Sequence, residues 1–166
     1  MAPRITLARK SDLPRLVALF TVFLPTDFVL RRFSATRPLE EQVAHYGTLL
    51  QGPGSLTLVA QEGRQVVGLV LTAKARPGIR RLVAVWVNPQ RRGEGLGQAL
   101  VLAAAELAAT RGEDIFLSTW SRNVAATHCY KNAGFRLVAT VPDHREDGDA
   151  TLLYVRYGGG TPAEYW

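Results

Sequence analysis

The stretch Arg91-Arg92-Gly93-Glu94-Gly95-Leu96-Gly97-Gln98 puts three glycines within five residues, directly after two arginines. Glycine costs a helix about 1 kcal/mol against alanine, so three at a helix start call for a reason. Close approach of the backbone to an anion is one. With no side chains in the way, successive N–H groups and a helix N-terminus converge on phosphate oxygens, and Arg91 and Arg92 add positive charge. The bland alternative is a tight turn whose glycines only let a helix pack on a sheet. Two familiar phosphate sites do not fit. A P-loop needs Gly-Lys-Ser/Thr, which is absent, and the Gly-x-Gly-x-x-Gly fingerprint would put its third glycine at Gln98 or Leu100.

A second group lies downstream. Asn123, Ala126 or Thr127, and Tyr130 recur about one helical turn apart and so share a face. An amide, a small residue and a phenol can form one wall of a groove; equally, Tyr130 can be a core aromatic with its hydroxyl at the edge. Cys129 points about 100° away from its neighbour around a helix and reads as a buried structural thiol. One cysteine and three scattered histidines, His45, His128 and His144, make no metal framework, so no metal is expected.

These residues need elements to hold them. Arg4 to Ala8 reads as a strand, and Ser11-Asp12 offers an N-cap to a helix carrying Leu13, Leu16, Val17 and Phe20, which Pro25 interrupts. A second helix spans about Leu39 to Leu50. Ser55 to Gln61, Gln65 to Ala73 and Arg81 to Val87 form an antiparallel meander. In the last of these, Leu82, Ala84 and Trp86 face one way and Val83, Val85 and Val87 the other, which marks a central strand covered on both sides. The glycine turn then opens a helix that runs to about Thr110 and stops at Gly112. Ile115 to Thr119, a helix from Asn123 to Ala133, and strands Phe135 to Val141 and Thr151 to Tyr157 complete the chain. Strand, helix, strand from Arg81 to Thr119 implies one parallel crossover. The fold class is therefore α+β, a mixed sheet of about seven strands with about four helices.

In this setting Arg92, Gly95 and Gly97 satisfy Arg/Gln-x-x-Gly-x-Gly/Ala, and the segment resembles the acetyl-CoA motif of the GCN5-related N-acetyltransferase (GNAT) superfamily. The spacing of Asn123, Ala126 and Tyr130, followed by Gly134-Phe135, resembles the other half of that cofactor site. The resemblance implies a cofactor, acetyl-CoA, whose pyrophosphate meets the amides of Arg92, Gly93, Glu94, Gly95, Leu96, Gly97 and Gln98. It implies that the backbone around Val85, Trp86 and Val87 pairs with the pantetheine arm, that Asn123 contacts that arm or bound water, and that Ala126 belongs to the same cofactor wall. Tyr130 would sit near the thioester sulfur as the catalytic proton donor, and a strand N–H near Val87 would serve the oxyanion. A carboxylate general base is missing from both Leu82–Val87 and Phe116–Trp120. Ser118 and Thr119 could relay a proton through water, and Glu41, His45 and Glu62 are further options.

Length and composition set the outer bounds. The chain has 166 residues, 47% of them hydrophobic and 20% charged, which suits one core of good size. Residues 1–157 are expected to form the acetyltransferase domain, and 158–166 a flexible tail in which Tyr165 and Trp166 are candidates to dock on a second copy as a homodimer. No signal peptide or membrane span is legible, so a cytoplasmic setting with no membrane partner is expected. The net charge of +6 permits nucleic-acid binding, yet no basic stripe interleaved with aromatics occurs, so none is expected. The expected partner is a small-molecule or peptide amine. Its site would be shaped by Phe20 to His45 and by Pro142 to Ala150, whose acidic residues could draw a cationic amine. A non-catalytic acyl-CoA-binding module and a basic nucleic-acid-binding protein are the competing readings.

Overall fold

The computed structural model describes residues 2–24, 38–145 and 148–159. Seven strands form one sheet: β1 (Arg4–Leu7), β2 (Leu56–Glu62), β3 (Gln65–Arg76), β4 (Ile79–Val87), β5 (Asp114–Trp120), β6 (Arg136–Val141) and β7 (Thr151–Arg156). Their spatial order is β1-β2-β3-β4-β5-β7-β6, and β4–β5 is the parallel pair. The described residues include four α-helices: α1 (Leu13–Phe23), α2 (Leu39–Gln51), α3 (Leu96–Thr110) and α4 (Val124–Asn132). None is long and apolar enough to cross a membrane. The meander, the crossover and the α+β class expected from the sequence are all present.

Both faces of the sheet are covered because its central strands are apolar on both sides. On one face Leu82, Ile115, Leu117 and Tyr154 pack under Leu100, Val101, Ala104 and Ala108 of α3. On the other, Leu69, Leu71, Ala84 and Trp86 pack against Leu16, Phe20 and Leu24 of the first helical segment and Leu50 of α2. Each fully buried leucine of this kind contributes about 1.5–3 kcal/mol.

Three sequence expectations need correction. The β3–β4 hairpin is tighter than the punctuation suggests: the strands run on to Arg76 and from Ile79, with only Pro77-Gly78 between them. That extension draws Arg80 into the sheet, where it is 2% exposed. Strict alternation in β4 also fails. The register slips between Leu71 and Thr72, whose partners are Ala84 and Leu82, so Val83 forms a bulge. As a result Leu82, Val85 and Val87 pack towards α3, whereas Val83, Ala84 and Trp86 pack towards α1 and α2. Finally, Gly158 was grouped with the flexible tail, yet its N–H donates to Asp114 Oδ1 at 2.8 Å. Residues 160–166, with Tyr165 and Trp166, lie outside the described residues.

Candidate active site

The parallel pair sets up the site by ending early. Registered partners are Ile79 with Asp114, Arg80 with Ile115 and Arg81 with Phe116, and none follows. Beyond that point β4 and β5 part, and a cleft of about 700 Å³ lies between them. It is lined by Leu82 to Val85 on one side and Leu117 to Trp120 on the other, with Asn123 and Tyr130 of the α4 segment and His45 and Tyr46 of α2. One edge of β4 is thus left without a strand neighbour. The Asn88 N–H donates to Val67 O of β3 at 2.8 Å. Since successive amides of a strand alternate, those of Val85 and Val87 point to the opposite, open edge. The Trp86 side chain goes into the α1–α2 core, so only its backbone belongs to this edge.

At the end of β4 the chain makes a short 3₁₀ turn, Pro89–Arg91, capped by Asn88 Oδ1 accepting from the Gln90 N–H at 3.0 Å. Gly93 and Gly95 both have φ of 79°, a left-handed conformation that costs other residues about 1–2 kcal/mol. Gly95 is the N-cap of α3 and offers no side chain to its first amides, so these remain available to an outside acceptor. Gly97 is different. Its φ is not positive, and a β-carbon there would meet only Val87 Cγ2 at 3.6 Å. Backbone conformation therefore explains Gly93 and Gly95, whereas neither φ nor a close neighbour requires a glycine at Gly97.

The two arginines have separate duties. Arg91 pairs with Glu94 at 2.8 Å and with Glu62 at the end of β2. Hydrogen bonds donated to Glu94 first, then to Glu62, push the Arg91 guanidinium further above its usual range, and Arg91 in turn holds the Glu94 carboxyl below its own. Its ion pairs pin the turn to the meander, so the positive charge expected from Arg91 at the turn is matched by two carboxylates. Glu62, enlisted there, does not line the cleft, and neither does the exposed Glu41. Arg92 is exposed, with Nε donating to Val87 O at 3.2 Å. Of the three optional bases, His45 lines the cleft, as do Ser118 and Thr119.

The α4 wall has the expected orientation in part. Asn123 is its N-cap residue, with Nδ2 donating to Thr119 Oγ1 at 3.2 Å. Tyr130 lines the cleft and packs its ring 6.1 Å from Phe135 and 6.2 Å from Tyr154. Ala126 is half-buried and does not line the cleft itself. Burial pushes the Tyr130 phenol well above its ordinary value, with a smaller contribution from Cys129, and burial likewise raises the Cys129 thiol. Both groups stay protonated near neutrality, which suits a donor phenol and an inert thiol.

Sequence reasoning missed what holds the α4 segment in place. Asp149, 5% exposed, accepts from the Ser121 hydroxyl, from the Arg122 N–H at 3.3 Å and from the Ala150 N–H at 2.9 Å. It therefore ties β7 to the turn that delivers Asn123, and is not a lure for a cationic amine. Glu146 and Asp147 lie outside the described residues. The Ser121 hydrogen bond, then those from Arg122 and Ala150, holds the Asp149 carboxyl below its usual range against the opposing effect of burial. A depressed folded pKa means this contribution is whole above the unfolded value of about 3.9 and is lost as pH falls through the lower folded value. Asp149→Asn is therefore expected to lower Tm at pH 7 and to narrow the gap from the parent protein below pH 4. Equal Tm values at pH 7 would remove the clamp.

Comparison with known proteins agrees with this architecture. The model of the acetyltransferase (GNAT) family matches residues 18–135, and the chain belongs to that family. It is 34% identical over 93 residues to N-acetyltransferase 8B of Rattus norvegicus, covering 52% of this chain and 42% of the relative. N-acetyltransferase 8F1 of the same species is 32% identical over 123 residues, 65% of this chain and 55% of that one. The chain thus spans about half the length of the curated relatives it matches. Among solved structures, yncA of Salmonella typhimurium with its cofactor acetyl-CoA superposes with a TM-score of 0.75 at 19% identity, covering 97% of this chain and 96% of that one. A GNAT-family acetyltransferase from Streptococcus pneumoniae gives 0.72 at 25% identity, with 95% and 99% covered.

Proposed function

We propose that the chain is an acetyl-CoA-dependent N-acetyltransferase that moves the acetyl group to a primary amine by direct attack in a ternary complex. The parting of β4 from β5 beside the uncapped start of α3 carries this reading. An extended pantetheine arm would pair with Val85 and Val87 as an added strand, while the pyrophosphate meets the amides from Arg92 to Gln98. Family membership, and the acetyl-CoA bound to yncA, support the choice of cofactor.

The chemistry follows from the groups at hand. A neutral amine attacks the thioester carbonyl carbon, the C–N bond forms, and an open β4 amide near Val87 stabilises the oxyanion. The C–S bond then breaks and its electron pair leaves on sulfur. Tyr130 donates a hydrogen bond to that sulfur, and the proton lost by the amine balances the thiol released. Among the described residues no carboxylate lines the cleft. That observation favours, as a second reading, an acyl-CoA-binding module without turnover.

Calorimetric titration with acetyl-CoA, followed by CoA release over a panel of amines, separates the two. Gly97 supplies the sharper control. Gly97→Ala is expected to fold at least as stably, with a helix-propensity gain of up to about 1 kcal/mol, and to keep most acetyl-CoA affinity. Gly97→Leu should weaken acetyl-CoA binding at least tenfold with Tm little changed, because its bulk enters the space above the first turn. Undiminished binding by the leucine variant would refute the phosphate turn.

A further inference from the structure

The charges lining the cleft are one-sided. Besides the phenols of Tyr46 and Tyr130, its titratable side chains are Lys74, Arg81 and His45, and no aspartate or glutamate among the described residues joins them. Arg81 is the key member. It is the last β4 residue paired with β5, and its registered partners are Phe116 on one side and Ala73 on the other. Registered residues share a face, and strand side chains repeat every second residue. Arg81 therefore lies on the same face as Phe116, Ser118 and Trp120, on the α2 side of the sheet. The cofactor groups proposed above, Asn123 and Tyr130, approach from the α4 side. Arg81 is exposed, and no ion pair engages it among the described residues. The cleft lining combines an apolar group, Leu49, Val83 and Phe116 with the ring of Tyr46, and polar side chains from Gln42, Ser118, Thr119 and Asn123. Trp120 closes the far end, with the Arg145 guanidinium 5.0 Å above its ring.

Such a pocket is poorly suited to an acceptor whose only charge is positive. Like charge disfavours an ammonium, and no acidic side chain among the described residues of the lining offsets it. An acceptor that brings its own carboxylate fits both features. The carboxylate can take two parallel hydrogen bonds from Arg81, and the remaining positive lining helps its amine lose a proton. Resting on the acetyltransferase reading above, we propose that the acceptor is a primary amine bearing a carboxylate and an apolar body, the class of the free hydrophobic amino acids, with its carboxylate held by Arg81.

Matched acceptors test this. CoA release is measured with phenylalanine and leucine, with their carboxamides, and with 1,4-diaminobutane as a carboxylate-free cation; binding of each to the CoA-loaded protein is followed by calorimetry. The free acids should exceed their amides at least tenfold in kcat/KM, with the diamine weakest. Arg81→Gln should erase that preference through KM, and Arg81→Lys should restore part of it, while acetyl-CoA affinity stays unchanged in both. Equal use of acid and amide, a preference for the diamine, or no binding of any acceptor to a protein that still binds acetyl-CoA would overturn the carboxylate assignment and leave the acetyl-CoA site standing. Absence of acetyl-CoA binding itself would instead remove the reading beneath it.

Discussion

Glu113→Ala is expected to destabilise the protein by about 3–5 kcal/mol, the usual cost of stranding one member of a buried ion pair. Glu113 accepts from Arg80 Nε at 2.7 Å, and both side chains are under a tenth exposed. Arg80 Nη1 also donates to Gly54 O at 2.9 Å and Thr72 Oγ1 at 3.2 Å, so a single guanidinium gathers β3, β4, the approach to β5 and the loop after α2. The position matters as much as the count. Arg80 is the middle of the three β4 residues that pair with β5 before the cleft opens, so the pair fixes the vertex from which the two strands diverge. Arg80→Met alone should cost the same order, since it leaves a buried carboxylate unpaired. Arg80→Met with Glu113→Ala should be far milder than the sum, because no buried charge is then left over. Urea unfolding of the four proteins checks this; a single-variant loss below 1 kcal/mol, or strict additivity, would show that the pair is not a desolvated clamp.

That clamp also shows where sequence legibility ended. Period-two and helical patterns gave the seven strands and the helices to within a few residues, because they report which faces are buried. The glycine turn was legible for the same kind of reason: Gly93 and Gly95 are demanded by backbone conformation. Arg80 escaped because a charged residue next to Pro77-Gly78 reads as turn, and its burial depends on Glu113, 33 residues away. The β4 bulge escaped because Val83 is as apolar as its neighbours, so pattern alone could not show a slipped register. Arg91 and Arg92 are adjacent and alike in sequence; Glu94 within the turn and Glu62 from the end of β2 together assign the first to structure. Asp149 was misread on the same ground, since its partners Ser121 and Arg122 come from another part of the chain. Local signals named the site's backbone, and long-range polar pairings decided which charges it keeps.

Tyr130→Phe is expected to lower kcat by roughly 10–100-fold, the worth of one hydrogen bond to a charged group, while acetyl-CoA affinity stays nearly constant. The size follows from the pKa order. A thiol titrates near 8.5, well below a phenol raised by burial, so full proton transfer from Tyr130 to the departing thiolate runs uphill. Donation of a hydrogen bond as negative charge gathers on sulfur does not. The substitution should therefore leave the pH dependence of kcat near neutrality intact and scale the whole profile down; a lost ionisation between pH 6 and 9 would assign the phenol a different part. Stability offers an independent readout. The folded phenol holds its proton above the unfolded value of about 10, so its contribution is whole below that pH and declines as pH rises towards the folded value. Tyr130→Phe lacks this alkaline loss, and its Tm should fall less steeply than the parent's above pH 10. Unchanged kcat together with this alkaline difference would return Tyr130 to the role of a core aromatic, and parallel curves would show that burial does not raise its phenol.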